Sequence, residues 1–197
     1  ALESGKFSAR DMIDVVSPLR VGKYPIRDYH AEKKPLNVAE VMVVSSNKGS
    51  ARIADEMGPE LQQKFLNQLG LMNRLGLEIP ETSSPLTPQT WRRSSVMTIS
   101  YGHGISVSPA HLATAIATTL GDGKKVLPSL IKGGKKEDFE EEVFSTDTVR
   151  QVRAILRNVV THKRGTGKKA DAKGYAVGGK TGTSEKNKVG GYHKDLN

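Results

Sequence analysis

The sequence predicts a domain of mixed α+β class, mostly helical, with a sheet that is incomplete within residues 1–197. Three observations carry this expectation. Helix starts with well-formed caps recur at Asn37, Ser108 and Ser145. Apolar residues return at helical spacing through Val149, Val152, Ile155, Leu156 and Val159. Only one segment, Tyr175 to Thr183, reads as a convincing strand, and a lone strand cannot satisfy its own backbone donors and acceptors.

The elements follow in order. Asn37-Val38-Ala39-Glu40 fits a capping box, and the apolar run Val38, Val41, Met42, Val43, Val44 makes the helix it opens largely buried. That helix stops at Ser45-Ser46-Asn47. A second helix is predicted from Lys48 to Met57, with Ala51, Ile53, Ala54 and Met57 on its apolar side. Gly58-Pro59 breaks and restarts the chain. The next helix runs from Glu60 to Leu69, with Leu61, Phe65, Leu66 and Leu69 on one face, and ends at Gly70. Residues 77–91, with Pro80, Pro85 and Pro88, read as an irregular excursion across the surface. Ser108-Pro109 supplies a cap and a first-turn proline for a helix reaching Leu120. Lys125 to Pro128 and Leu130-Ile131 are expected to be short extended segments around a turn. Gly165-Thr166-Gly167 is a loop after the helix that Ser145 opens.

Composition narrows the function. The 197 residues, 36% hydrophobic, can bury one core. No run of about 18 apolar residues occurs, and Ala1 opens onto no signal-peptide pattern. With no cysteine, disulfides and thiolate metal sites are excluded. His30, His103, His111, His162 and His193 show no metal-ligand spacing and are read as structural or exposed. Glu137 to Glu142 is read as a solvated charge run. The net charge of +9 is uneven, because residues 161–197 alone carry +6. Aromatics make up only 5% of the chain and form no stacking platform along this basic stretch, which argues against nucleic acid.

Two motifs carry chemistry. Gly174 to Thr181 satisfies the phosphate-loop pattern G-x-x-x-x-G-K-[ST] letter for letter. That pattern needs a helix leaving the loop, and Gly182-Thr183-Ser184-Glu185-Lys186-Asn187 is a poor helix, so the nucleotide reading is rejected. The other reading is a Lys-Thr-Gly strand: Lys180 as a cation for a carboxylate, hydroxyls on Thr181 and Thr183 beside it, and Gly182 leaving room for substrate to lie close. Ser45-Ser46-Asn47 offers a hydroxyl and a carboxamide at a helix break. By itself this is ordinary helix-break chemistry.

As an ordered set these motifs resemble the penicillin-binding protein and serine β-lactamase superfamily. Ser100-Tyr101-Gly102-His103-Gly104 with Val107-Ser108-Pro109 is similar to the family's Tyr-Gly and Ser/Thr-Pro segment, and Gly165-Thr166-Gly167 to the stretch before Lys-Thr-Gly. Arg27-Asp28-Tyr29-His30, Ser45 to Gly49 and Leu77 to Glu81 bring the likeness closest to class B, division-specific (septal) peptidoglycan D,D-transpeptidases. The likeness runs from Ala1 to about Tyr192. It implies a transpeptidase fold, of which residues 1–197 hold mostly the helical part plus the Lys-Thr-Gly strand.

The resemblance also implies roles. Ser45 relays a proton, Asn47 hydrogen-bonds the acyl chain's amide, and Lys180 sets positive charge near Ser45 and the substrate carboxylate. Thr181 and Thr183 bind that carboxylate, the Thr183 N–H serves as an oxyanion donor, Gly182 admits the substrate and Tyr101 lines the cleft. No metal or organic cofactor is implied. The implied partners are peptidoglycan stem peptides, β-lactams and division-complex proteins. The place is the periplasmic face of the inner membrane, reached through an anchor outside this chain.

One departure matters. The family's nucleophile lies in a Ser-x-x-Lys motif ahead of Ser-x-Asn. The two such strings here, Ser45…Lys48 and Ser129…Lys132, overlap that motif or follow it. The expectation is therefore a partial transpeptidase domain, truncated at both ends, with Ala1 to Gly5 ending the nucleophile helix and the serine about three turns earlier. Such a chain is expected to be inactive alone. The alternative is a non-catalytic basic module that binds anionic cell-wall polymer or a division partner.

Overall fold

The computed structural model describes residues 1–133 and 141–182, together with the backbone of Asn187–Lys188 and Gly191–Tyr192. Most of the acidic run, residues 137–140, and Thr183 lie outside the described residues. The chain enters through a turn, with Gly5 N–H donating to Leu2 O at 2.9 Å and Gly5 at φ 69. Strand β1 (Met12–Ile13) follows, then a hairpin of β2 (Leu19–Val21) and β3 (Tyr24–Ile26), then β4 (Leu36–Asn37). β1 pairs antiparallel with β4, setting Ile13 against Leu36. The hairpin turns on Gly22-Lys23. Gly22 at φ 58 supplies the positive φ that a two-residue hairpin loop demands.

Helix α1 (Val38–Val43) begins where its capping box predicts. Asn37 Oδ1 accepts from Glu40 N–H at 2.8 Å, and Glu40 Oε2 accepts from Asn37 N–H at 2.9 Å. Asn37→Ala should therefore cost about 1 kcal/mol, read as a lower urea midpoint with an unchanged m-value. The two helices predicted around Gly58-Pro59 form one path, α2 (Asn47–Gln68), kinked where Gly58 takes φ 83 and ψ 170. Helix α3 (Arg93–Ile99) is unforeseen by sequence periodicity. It has no side-chain cap and is rich in serine and β-branched residues, yet it buries Val96, Met97 and Ile99. Packing stabilises it, not propensity. Helices α4 (Pro109–Leu120) and α5 (Thr146–Thr161) start at the expected Ser108 and Ser145 caps. Buried His111 ties α4 to the segment that follows α2, its ring 2.7 Å from the capping Ser108 Oγ and 3.0 Å from Asn73 O.

The segments at 125–131 carry no ladder among the described residues, only a bridge beside them, Lys124 with Glu142. One expectation needs correction: there is no ladder over 175–182 among the described residues. That segment meets a helix instead: Gly179 N–H donates to Leu156 O at 3.2 Å, and Arg157 Nη1 donates to Val177 O at 2.7 Å. Strand patterning marks a segment able to pair, but pairing needs a second strand beside it. Past it, β5 (Asn187–Lys188) and β6 (Gly191–Tyr192) pair antiparallel.

Two apolar clusters hold the fold. Phe7, Ile13, Val15, Leu36, Val38 and Val41 join the entry segment to α1. Leu19, Ile26, Ala51 and Met97 lock the β2–β3 hairpin between α2 and α3. Each fully buried Val or Leu contributes about 1.5–3 kcal/mol of transfer free energy. An apolar cavity of about 390 Å³ lies among the chain's first residues, α1, α2 and α5, lined by Leu2, Val41, Ile53, Phe65, Val152 and Ile155 among others. No helix among the described residues is long and apolar enough to cross a membrane.

Candidate active site

The end of α1 builds the first half of the site. Ser45 N–H donates to Met42 O at 3.2 Å, and Ser46 N–H donates to Val41 O at 2.9 Å. These are the two crossed bonds of a Schellman closure, whose left-handed position usually belongs to glycine. Here it belongs to Ser45, at φ 59, the one non-glycine residue with positive φ among those described. A left-handed L-residue costs roughly 1–2 kcal/mol. Backbone strain held at one serine is a pointer to function.

Ser46, 1% exposed, caps α2 by accepting from Gly49 N–H at 2.9 Å. α2 then presses on α1 so closely that a Cβ on Gly49 would lie 2.5 and 2.7 Å from the two γ-carbons of Val41. The Ser45–Asn47 turn is thus wedged between two packed helices. Asn47 donates its amide N–H to Arg27 O at 3.0 Å.

The second half arrives from the far end of the chain. After α5, the loop at Gly165 passes so near the helix that a Cβ there would sit 2.3 Å from Val159 O. Only glycine fits that approach. The turn sets Thr166 beside α1, its N–H donating to Val43 O at 3.4 Å, and Thr166 Oγ1 accepts from Thr181 Oγ1 at 3.1 Å. The Lys180 ammonium donates to Ser45 Oγ at 2.7 Å across 135 residues, and to Thr181 O at 2.9 Å. Lys180 is exposed as a residue, but its amino end lies against protein, and that burial holds its pKa below the ordinary lysine range.

Ser45 and Thr181 therefore both meet the Lys180 ammonium, while Asn47, two residues after Ser45, has its amide on Arg27 O. Gly182 follows on the surface, with open space where a side chain would stand. Tyr101 packs on the Leu19, Ile26, Ala51 and Met97 cluster, its ring 5.4 Å from that of His103, and burial pushes its phenol pKa up. No hydrogen bond joins Tyr101 to Ser45 or Lys180. Thr183 lies outside the described residues. Sequence reasoning passed over Thr166 and Asp28 as site residues. Both stood in motifs already noted, Gly-Thr-Gly and Arg-Asp-Tyr-His, but nothing local tied either to Ser45.

An ammonium held on a hydroxyl can pass a proton through it, because lowering the lysine pKa brings its acid and base forms closer in energy. The Lys180 charge and the Thr181 and Thr166 hydroxyls also suit a carboxylate ligand. Among the described residues, no group of three or more His, Asp or Glu side chains converges as a metal site would require.

The description of the penicillin binding protein transpeptidase domain family matches residues 1–197. The chain is 37% identical over 193 residues to a Caulobacter vibrioides protein called a probable peptidoglycan D,D-transpeptidase FtsI, covering 94% of this chain and 32% of that protein. It is 31% identical to the penicillin-binding protein PbpB of Mycolicibacterium smegmatis, covering 94% of this chain and 31% of the relative. Among solved structures, the apo transpeptidase (TP) domain of Burkholderia pseudomallei penicillin-binding protein 3 superposes with a TM-score of 0.87 at 31% identity. That match covers 98% of this chain and 59% of the other. The chain spans about a third of the length of the curated relatives it matches.

Proposed function

Because the chain belongs to the penicillin binding protein transpeptidase domain family, we propose that it forms part of a division-type peptidoglycan D,D-transpeptidase acting by serine acyl transfer. The observation that carries the reading is the 2.7 Å contact between Lys180 and Ser45. It joins two motif residues far apart in sequence at the strained turn. A basic module that only gripped anionic polymer would not need that contact.

In the proposed reaction a serine hydroxyl attacks the carbonyl between two D-alanines of a stem peptide. The C–N bond breaks, and the departing D-alanine amine takes up a proton relayed through Ser45 and Lys180. An amino group of a neighbouring stem then displaces the serine, leaving a cross-linking amide. β-Lactams enter as mimics of the acyl donor. Asn47 holds the acyl amide, Lys180 and the Thr181 and Thr183 hydroxyls hold the carboxylate, Gly182 gives clearance, and Tyr101 borders the cleft. The reading places the enzyme at the periplasmic face of the membrane, among division proteins.

Neither Ser-x-x-Lys serine suits the nucleophile's part. Ser45…Lys48 overlaps the Ser-x-Asn motif, and Ser129 donates to Glu78 Oε1 at 2.5 Å on an exposed loop. We place the nucleophile outside residues 1–197 and residues 1–197 within a larger transpeptidase domain.

A fluorescent penicillin with intact-mass analysis tests the reading. The 197-residue chain is expected to stay unlabelled, and a longer polypeptide that includes the flanking residues is expected to carry one adduct. An adduct on Ser45 or Ser129 of the short chain would refute the assignment of the nucleophile. A longer protein that stays unlabelled would refute the activity.

A further inference from the structure

Beside the site, a carboxylate from another part of the chain holds the strained turn. Asp28 stands just past β3. Its Oδ2 accepts from Ser46 Oγ at 2.9 Å and its Oδ1 accepts from Lys48 N–H at 2.9 Å. The preceding carbonyl, Arg27 O, accepts from the Asn47 amide at 3.0 Å. The Arg27-Asp28 pair thus grips Ser46, Asn47 and Lys48, the three residues after left-handed Ser45.

The physics favours a carboxylate here. The first N–H groups of α2 have no partner within the helix, and a negative charge at a helix N-terminus is favoured by the backbone dipoles. Ser46 Oγ is occupied on both sides, donating to Asp28 and accepting from Gly49 N–H. A serine in the left-handed region is costly by about 1–2 kcal/mol, so contacts that pin Ser46 and the start of α2 add to the Schellman bonds in favouring the φ of 59 at Ser45.

We propose that Asp28 is a positioning residue of the site, holding Ser45 in its left-handed conformation so that its hydroxyl meets Lys180. It acts through Ser46 and Lys48 and touches neither substrate nor the reacting atoms. The inference rests on the reading of Ser45 and Lys180 as the proton-relay pair.

The test has two arms, so that failure of one is separable from failure of the other. The first uses the isotopically labelled 197-residue chain with Asp28→Ala, Asp28→Asn and Ser46→Ala. The three-bond HN–Hα coupling and carbon shifts of Ser45 report its φ, and the Cε shift of Lys180 followed against pH reports its contact. Asp28→Ala is expected to move Ser45 out of the left-handed pattern and to raise the Lys180 midpoint towards that of an ordinary lysine. Amide signals of α5 should stay in place. Asp28→Asn, which keeps an acceptor for Lys48 N–H, is expected to retain more of the native pattern. If Asp28→Ala does not fold, Asp28→Asn and Ser46→Ala decide the matter by the same readouts. Folded variants with Ser45 still left-handed and Lys180 unchanged, whatever their melting temperature, would overturn the proposal. The second arm uses a longer protein that acylates. There Asp28→Ala should slow acylation about tenfold or more while non-covalent affinity changes little, and Asp28→Asn should recover part of the rate. Unchanged acylation counts against the proposal. Absence of acylation in the unmutated protein counts against the reading of the site, leaving the first arm to judge Asp28.

Discussion

Lys180→Ala, in a longer protein that carries this domain and its nucleophile, is expected to slow acylation by penicillin about 100- to 1,000-fold, the usual loss when one preorganised polar group is removed from a reaction centre. Two losses combine. Ser45 Oγ loses its 2.7 Å donor, and the carboxylate-binding face loses its cation beside Thr181. Stability should barely change, since Lys180 is exposed and substitutions at such positions stay within about 0.5 kcal/mol. Lys180→Arg separates the two contributions. Its guanidinium keeps the charge but stays protonated at any working pH, so affinity for a carboxylate-bearing ligand should recover more than the acylation rate does. Stopped-flow acylation over a range of penicillin concentrations separates affinity from rate. Retention of acylation within threefold of the parent by Lys180→Ala would remove Lys180 from the mechanism.

The largest effect on stability is expected at Met97→Ala, at about 2–5 kcal/mol, the range for truncating a buried large aliphatic side chain. Met97 is 1% exposed and packs with Leu19, Ile26 and Ala51. That loss is a large share of the 5–15 kcal/mol by which domains are typically stable. The damage should reach the site, because the β2–β3 hairpin that Met97 holds leads directly into Arg27 and Asp28. Met97→Leu, nearly equal in volume, should cost under about 1.5 kcal/mol. Urea unfolding of both variants checks this. A loss under 1 kcal/mol for the alanine variant, with an unchanged m-value, would mean that the site collapses readily or that the cluster matters little.

The contrast between these residues shows what was legible in advance. Lys180 could be singled out as a candidate site cation because Lys-Thr-Gly has a chemical logic in three adjacent letters. Met97 could not be read as a keystone. α3 has neither a cap nor a clean period, and its helical state depends on partners in α2 and the hairpin. The kink at Gly58-Pro59 was legible because glycine and proline act on their own backbone. The ladders of β1 with β4 and β2 with β3 were not, because strands of two or three residues carry too little pattern to stand out.

The same division runs through the site. The sequence by itself determined the helix starts at Asn37, Ser108 and Ser145, the break after Val44, and the order of Ser-x-Asn and Lys-Thr-Gly. Each depends on hydrogen bonds that close within three or four residues, or on side-chain chemistry read from adjacent positions. Only the tertiary structure decided that Ser45 is left-handed, that Asp28 grips the start of α2 from 18 and 20 residues away, and that Lys180 reaches Ser45 across 135. It also decided that the segment at 175–182 lies on α5 and, among the described residues, joins no ladder. Those contacts join segments that are far apart in the chain. Their energies depend on which surfaces meet, and no local pattern of residues encodes that.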